Sequence, residues 1–412
     1  MNQIQTLKGF RDFLPAEKRK RGYVASIIRR VFEHHGFEPI ETPTLEYASL
    51  LLGKYGDEAD KLVYTFEDRG KRQVALRYDQ TVPTARVLSQ HQNDLPKFFR
   101  RYQIQNVFRA DKPQKGRYRE FTQSDCDIFG SDSVVADAEI LAVYYNVYQA
   151  LGITSIQLEI NDRQTLMQTL SPFARPKVDV FSLVQSIDKL DKISPSQVVA
   201  ELVTKGLAKQ DAETALSEIE NAEMSDNLRE IVDKSVALGI PQSALVFNPK
   251  LARGLDYYTG LIFEGLIPEY KVGSVGGGGR YDKLIEELAG PSISAVGFGI
   301  GFDRTVEAAD QLGLIPVTDS PAQVLITLFD QQTTEASLVT AAKLRQAGIS
   351  TEVYPTTDKL GKQFKLADQK HIPYVIIIGP EEVETNLVTL KDMKSGEQQQ
   401  LSLDRVLSTL QN

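Results

Sequence analysis

The chain has 412 residues, 42% hydrophobic and 25% charged, with a formal net charge of −8 at pH 7 and one cysteine, Cys126. That length suggests two or three domains, and the apolar share supports buried cores, which excludes a disordered chain. The acidic balance argues against a nonspecific coat for nucleic acid, the lone cysteine excludes an intrachain disulfide, and no apolar run approaches a membrane span.

Residues 16–35 read as an amphipathic helix, with Val24, Ile27, Ile28, Val31 and Phe32 at helical spacing and Gly36 as the stop. Strand signals follow at 71–79, 100–111 and 117–130. The short KPQKG link between the last two predicts an antiparallel hairpin. Residues 163–245 turn helical and read as a module inserted into a β-rich domain. Strand signals return at 246–280, and 292–313 reads as strand then helix. Residues 314–323, with two prolines, suit a linker. The remainder follows a β-α-β-α-β order, which predicts a separate, mostly parallel sheet.

Strand alternation places Arg117, Arg119, Phe121, Gln123, Asp125 and Asp127 on one face, and Arg101, Gln103, Gln105, Val107 and Arg109 share parity on the preceding strand. Such a face reads either as the floor of a polar site for an anion and an ammonium together, or as exposed sheet. From Lys97 to Arg119, eight basic residues stand against one acid, Asp111. Gly297, Gly299 and Gly301 bare one side of a strand, open to a flat ring such as adenine or to close packing. No P-loop is present, and the scattered His34, His35, His91 and His371 suggest no zinc site, so no protein-held metal is expected. Arg253 lies in an apolar stretch and needs a partner. No Ser/His/Asp or Cys/His nucleophile set appears, and an arginine-rich site without one suits phosphate chemistry by positioning.

These segments resemble the histidyl-tRNA synthetases, a class II aminoacyl-tRNA synthetase family, over nearly the whole chain. KGFRDFLP (8–15) resembles the family's N-terminal segment. GFEPIETPTLEY (36–47), FRADKPQKGRYREF (108–121) and AVGFGIGFDR (295–304) resemble class motifs 1, 2 and 3. ARGLDYYTG (252–260), GGGGRYD (276–282), LRYDQT (76–81) and QSDCDIFG (123–130) resemble segments particular to the histidine enzyme. The resemblance implies an α+β fold: an antiparallel-sheet catalytic core (1–162 and 246–313), an inserted helical module (163–245), a linker (314–323) and an α/β anticodon-binding domain (324–412).

It further implies activation of L-histidine with ATP and Mg²⁺, then transfer to the 3′ end of tRNA(His), by a cytoplasmic homodimer that meets no membrane. On the matching positions, Arg109 holds the α-phosphate and Arg304 the γ-phosphate, while adenine stacks on Phe121 near Gly301. Arg253 sits beside the α-phosphate, and Arg253, Arg109 and Gln123 form the catalytic set. Asp79, Thr81 and Gln123 receive the α-amino group. Asp127 and Tyr258 bond the imidazole nitrogens, with Tyr257 and Tyr281 lining the pocket. Gln114 and Arg117 meet the tRNA acceptor end, which would give the basic segment its purpose. Lys359, Lys362, Lys365 and Lys370 form either an RNA-facing stripe or a solvated helix face. The alternative is a non-catalytic, synthetase-like regulatory subunit of ATP phosphoribosyltransferase. The retained Arg253 and C-terminal domain weigh against it.

Overall fold

The computed structural model describes residues 4–53, 61–112, 118–191, 193–252, 257–290, 292–316 and 320–411. They divide into two compact units, 1–315 and 316–412.

The first helix runs Pro15–His34, with proline in its first turn and Val24, Ile27, Ile28, Val31 and Phe32 buried along one face. It stops at Gly36, whose φ of +73° suits glycine far better than an L side chain. A small three-stranded sheet is built from β2 (Leu45–Tyr47), β3 (Thr65–Glu67) and β4 (Gln73–Leu76), with β4 central.

The main sheet uses β1 (Glu38–Pro39), β5 (Phe99–Phe108), β6 (Glu120–Phe129), β7 (Gln157–Asp162), β8 (Leu245–Phe247), β9 (Leu261–Leu266), β10 (Gly276–Arg280) and β11 (Ala295–Gly301). Its order is β1-β5-β6-β11-β10-β9-β7-β8, antiparallel throughout except at the two edges. The expected hairpin is β5–β6, in register from Phe99 opposite Phe129 to Phe108 opposite Glu120.

Alternation divides this sheet chemically. Tyr102, Cys126 and Phe298 lie in one cross-strand row and enter a core with the Pro15–His34, Val134–Ala150, Asp226–Ala237 and Phe302–Gln311 helices. The other face carries the polar residues at its centre and a second apolar core at its flank. Phe99, Phe129 and Ile262 join that second core with helices Arg163–Leu170, Val180–Ile187, Pro195–Lys205 and Lys209–Glu220. The helical segment therefore contributes to both cores. Its four earlier helices pack on one another within the second core, and Asp226–Ala237 packs on helix Val134–Ala150 in the first. Helical periodicity in one sequence does not show which sheet face each stripe will meet.

The second unit orders its strands β13-β12-β14-β15-β16. They are β12 (Val324–Ile326), β13 (Thr351–Val353), β14 (Tyr374–Ile377), β15 (Val388–Asp392) and β16 (Gln398–Leu401). The first three are parallel, and the last two add as antiparallel strands. The sequence reading missed this pair because Gln398, Gln399 and Gln400 are exposed on the sheet edge and carry no apolar alternation. Helices Thr334–Gln346 and Leu403–Gln411 share one core, and Leu360–Gln369 joins a second.

Candidate active site

The polar face is a grid fixed by register. Arg101 on β5 stands opposite Asp127 on β6, which stands opposite Gly297 on β11. The next row is Gln103, Asp125 and Gly299, and the next Gln105, Gln123 and Gly301. Gly279 and Gly277 extend the first two rows on β10. The glycines leave room for acids: a Cβ on Gly297 would collide with the Asp127 carboxylate, and one on Gly299 would lie 2.9 Å from Asp125 Oδ1. These two close approaches serve carboxylates rather than a flat ring. Gly301 opens onto a second cavity, beside Phe121 and Arg304, which Gly299 also borders.

The loop before helix Thr81–Gln90 closes one side. Gln80 Nε2 donates to the Gln105 and Gln123 carbonyls at 3.1 and 2.9 Å, tying the loop to the sheet. Asp79 Oδ1 accepts the Val82 N–H at 3.0 Å, capping that helix. On the opposite side the Tyr257 and Tyr258 rings lie 4.6 Å apart, and Tyr257 meets Tyr281 edge-on at 5.9 Å. Tyr281 Oη donates a short hydrogen bond to Asp127 Oδ1.

Two cavities result. The first, about 330 Å³, is lined by Asp79, Thr81, Asp125, Asp127 and the three tyrosines. The second, about 620 Å³, is lined by Phe121, Glu264, Gly301 and Arg304 among others. They meet at Tyr78, Arg109, Gln123 and Gly299. Arg109 Nε donates to the Tyr78 carbonyl at 3.2 Å, and its guanidinium lies 4.4 Å from the Tyr78 ring centre and 5.2 Å from that of Phe121. Arg304 Nη1 donates to the Ser274 carbonyl at 2.7 Å.

The electrostatics turn on Arg101, which is fully buried and lies 2.6 Å from Asp127 Oδ2. Burial works against its charge, but Asp127 and Asp125 outweigh that and hold its pKa above the usual arginine value. Asp125 has no such partner. Burial first, then the negative charge of Asp127 and Asp79, pushes its carboxyl up to about 8, with Arg101 and Arg109 opposing. Burial, together with Asp127, also pushes the Tyr281 hydroxyl well above the usual tyrosine range.

The site residues read from the sequence separate between the cavities. Asp79, Thr81, Asp127, Tyr257, Tyr258 and Tyr281 line the first; Phe121, Gly301 and Arg304 line the second; Arg109 and Gln123 line both. Arg253, Gln114 and Arg117 lie outside the described residues. Arg101, Gln80 and Asp125 were not singled out as site residues. Alternation had placed Arg101 and Asp125 on the polar face, but only the register shows Arg101 beneath Asp127.

Among its described residues, the basic segment does not form one surface. Arg100 pairs with Glu139 at 2.7 Å, Arg101 is internal, and Arg119 Nε donates to the Asp111 carbonyl at 3.0 Å. Among the four lysines of the other unit, Lys362 pairs with Asp358 at 2.9 Å and Lys370 with Glu352 at 2.6 Å. Behind the site, Arg280 of the GGGGRYD segment reaches Asp137 at 2.6 Å; Arg11 of the KGFRDFLP segment reaches Asp303, which lines the second cavity, at 2.9 Å.

An antiparallel sheet bearing an arginine-flanked double cavity, with helices on its reverse face, defines the catalytic core of a class II aminoacyl-tRNA synthetase. Residues 9–304 match the family model described as Histidyl-tRNA synthetase, and 311–412 match Anticodon binding domain. The histidine–tRNA ligase of Cytophaga hutchinsonii is 40% identical, covering 98% of both chains. That of Wolinella succinogenes is also 40% identical, over 96% of this chain and 95% of its own. The crystal structure of histidyl-tRNA synthetase from Nostoc sp. PCC 7120 superposes with a TM-score of 0.85 at 30% identity, covering 100% of this chain and 99% of that one. A Bacillus halodurans structure described as an ATP phosphoribosyltransferase regulatory subunit/histidyl-tRNA synthetase shares the fold, with a TM-score of 0.73 at 21% identity. The chain belongs to the histidyl-tRNA synthetase family, and its activity is histidine–tRNA ligation. The full-length relatives are ligases, so the regulatory-subunit alternative gives way to the catalytic one. As a class II synthetase it uses ATP.

Proposed function

We propose that the first cavity receives L-histidine and the second receives ATP, with the reacting atoms meeting at Arg109 and Gln123. The observation that carries this reading is the pair of cavities sharing those residues at their junction. A histidine carboxylate oxygen attacks the α-phosphorus of ATP, a C–O–P bond forms, and the α–β bridge breaks to release pyrophosphate. Arg109 stands where charge builds on the α-phosphate, and Arg253 adds a second cation there. Preorganised donors of this kind act without reorganising during the reaction. Arg304 takes the γ-phosphate, and Phe121 offers its ring to adenine. Mg²⁺ accompanies ATP, and Glu264 and Asp111, both on the second cavity, are the hard oxygen donors that suit it.

Asp79, Thr81 and Gln123 face the α-ammonium. Asp127 accepts from one imidazole nitrogen, and Tyr258 donates to the other. A site bonding both nitrogens rejects analogues lacking them by ~10⁴–10⁵. A terminal ribose hydroxyl of tRNA(His) then attacks the carbonyl of the adenylate, and AMP leaves. Gln114 and Arg117 guide that acceptor end, and the second unit meets the anticodon. The working form is a cytoplasmic homodimer.

Amino-acid-dependent ATP–pyrophosphate exchange across all twenty amino acids tests the assignment. Histidine alone should support exchange. Arg253→Ala should reduce it by ~10²–10³, the scale of one lost oxyanion donor. Unchanged exchange in that variant would remove Arg253 from the mechanism.

A further inference from the structure

We propose that Asp125 is a further specificity-determining residue, binding the substrate α-ammonium together with Asp79 and Gln123. The inference rests on the first cavity being the histidine site. Asp125 lines that cavity at 5% exposure and takes part in none of the hydrogen bonds or ion pairs that fix its neighbours. Its Oδ1 is buried without a hydrogen-bond partner, and so is Gln123 Oε1 two residues along the same face. Asp79 faces the same space from the helix-capping loop. A primary ammonium carries three N–H donors and no acceptor. Asp125, Asp79 and Gln123 supply acceptors for all of them from three different positions.

Charge balance leads to the same ligand group. Asp79, Asp125 and Asp127 line the cavity, and among the described residues the cations acting on Asp125 are Arg101 and Arg109. Arg101 is committed to Asp127 at 2.6 Å. Arg109 stands at the junction with the second cavity, held by the Tyr78 carbonyl. The strands on either side of Asp125 contribute Gln103 and Gly299, and the tyrosines on the far side are uncharged. Among the described residues negative charge therefore outweighs positive at the centre of the cavity, and burial pushes the Asp125 carboxyl up. A cation brought by the ligand supplies what is missing. Gly299 is part of the device, since any larger residue would press on Asp125 Oδ1.

The test uses two compounds that both carry imidazole: L-histidinol, which has the ammonium, and 3-(imidazol-4-yl)propionate, which lacks it. Binding to the full chain is measured by titration calorimetry for wild type and Asp125→Asn. Histidinol affinity should fall by roughly 10- to 100-fold, the scale of a charge-assisted hydrogen bond, while the propionate is unchanged or tighter. Equal losses for both compounds would mark Asp125 as a packing residue, and no loss for either would exclude it from binding; both overturn the proposal. Gly299→Ala, which crowds the same oxygen, should show the same selective loss and replaces Asp125→Asn if that variant does not fold. If neither compound binds wild type, the cavity assignment itself fails, and this inference with it.

Discussion

Arg101 is the residue that makes a cluster of acids tolerable. It is wholly buried, lies 2.6 Å from Asp127, and donates to Gln103 Oε1 at 3.0 Å. An arginine cannot shed its proton, so Arg101 stays a cation; burial pushes the Asp127 carboxyl up, and Arg101 and the Tyr281 hydroxyl oppose that rise. Asp125 is the unbalanced member. Its carboxyl rises from the ordinary 3.8 to about 8 in the folded chain, mainly through burial. Between those values the folded chain holds a proton that the unfolded chain has released, so stability falls as pH rises through that window. Asp125→Asn should therefore raise stability over wild type by on the order of 1–4 kcal/mol at pH 9 and much less at pH 5, read as urea midpoints. A pH-independent difference would mean that Asp125 is not a buried charge. Alternation alone made much of this face legible: Gln123, Asp125 and Asp127 fall together because a strand has period two. The depth of Arg101 was not legible, because a run of arginines looks the same whether it faces solvent or lies beneath a carboxylate.

At the scale of elements, the β5–β6 hairpin could be read from the turn residues and flanking alternation. The glycine strands could be recognised only as places of close approach. What approaches them depends on segments distant in sequence: Asp127 opposite Gly297, and Tyr258 beside Gly279. Arg280 shows the same principle. It ends β10 and forms a bidentate pair with Asp137, in the first turn of helix Val134–Ala150, at 2.6 and 3.0 Å, while Nη1 donates to the Ser131 carbonyl at 2.9 Å. This clamp fixes the end of the strand that leads into Tyr281. Arg280→Leu strands a buried carboxylate and should cost about 3–5 kcal/mol. Replacing Asp137 as well, with leucine, should recover part of that loss, as a double-mutant cycle on thermal or urea unfolding would show. Additive losses would mean that the two residues act independently.

The molecule as a whole separates its tasks. Unit 1–315 carries the double cavity, and unit 316–412 has its own sheet and cores, as domains with separate roles do. Two compact units could be anticipated from the proline-bearing stretch at 314–323 and the change of pattern after it. The polar edge strands of the second unit and the distribution of helices over both faces of the main sheet could not, because both depend on tertiary contacts. The central claim is the division of labour between the cavities, with Asp127 serving histidine and Arg304 serving ATP. Steady-state histidine-dependent ATP–pyrophosphate exchange tests it directly in Asp127→Ala and Arg304→Ala. The account predicts that the first variant raises KM for histidine by roughly 10-fold or more, leaving KM for ATP near wild type, and that the second does the reverse. If either variant shifts both constants together, or if the two effects are exchanged, the assignment of the cavities is wrong.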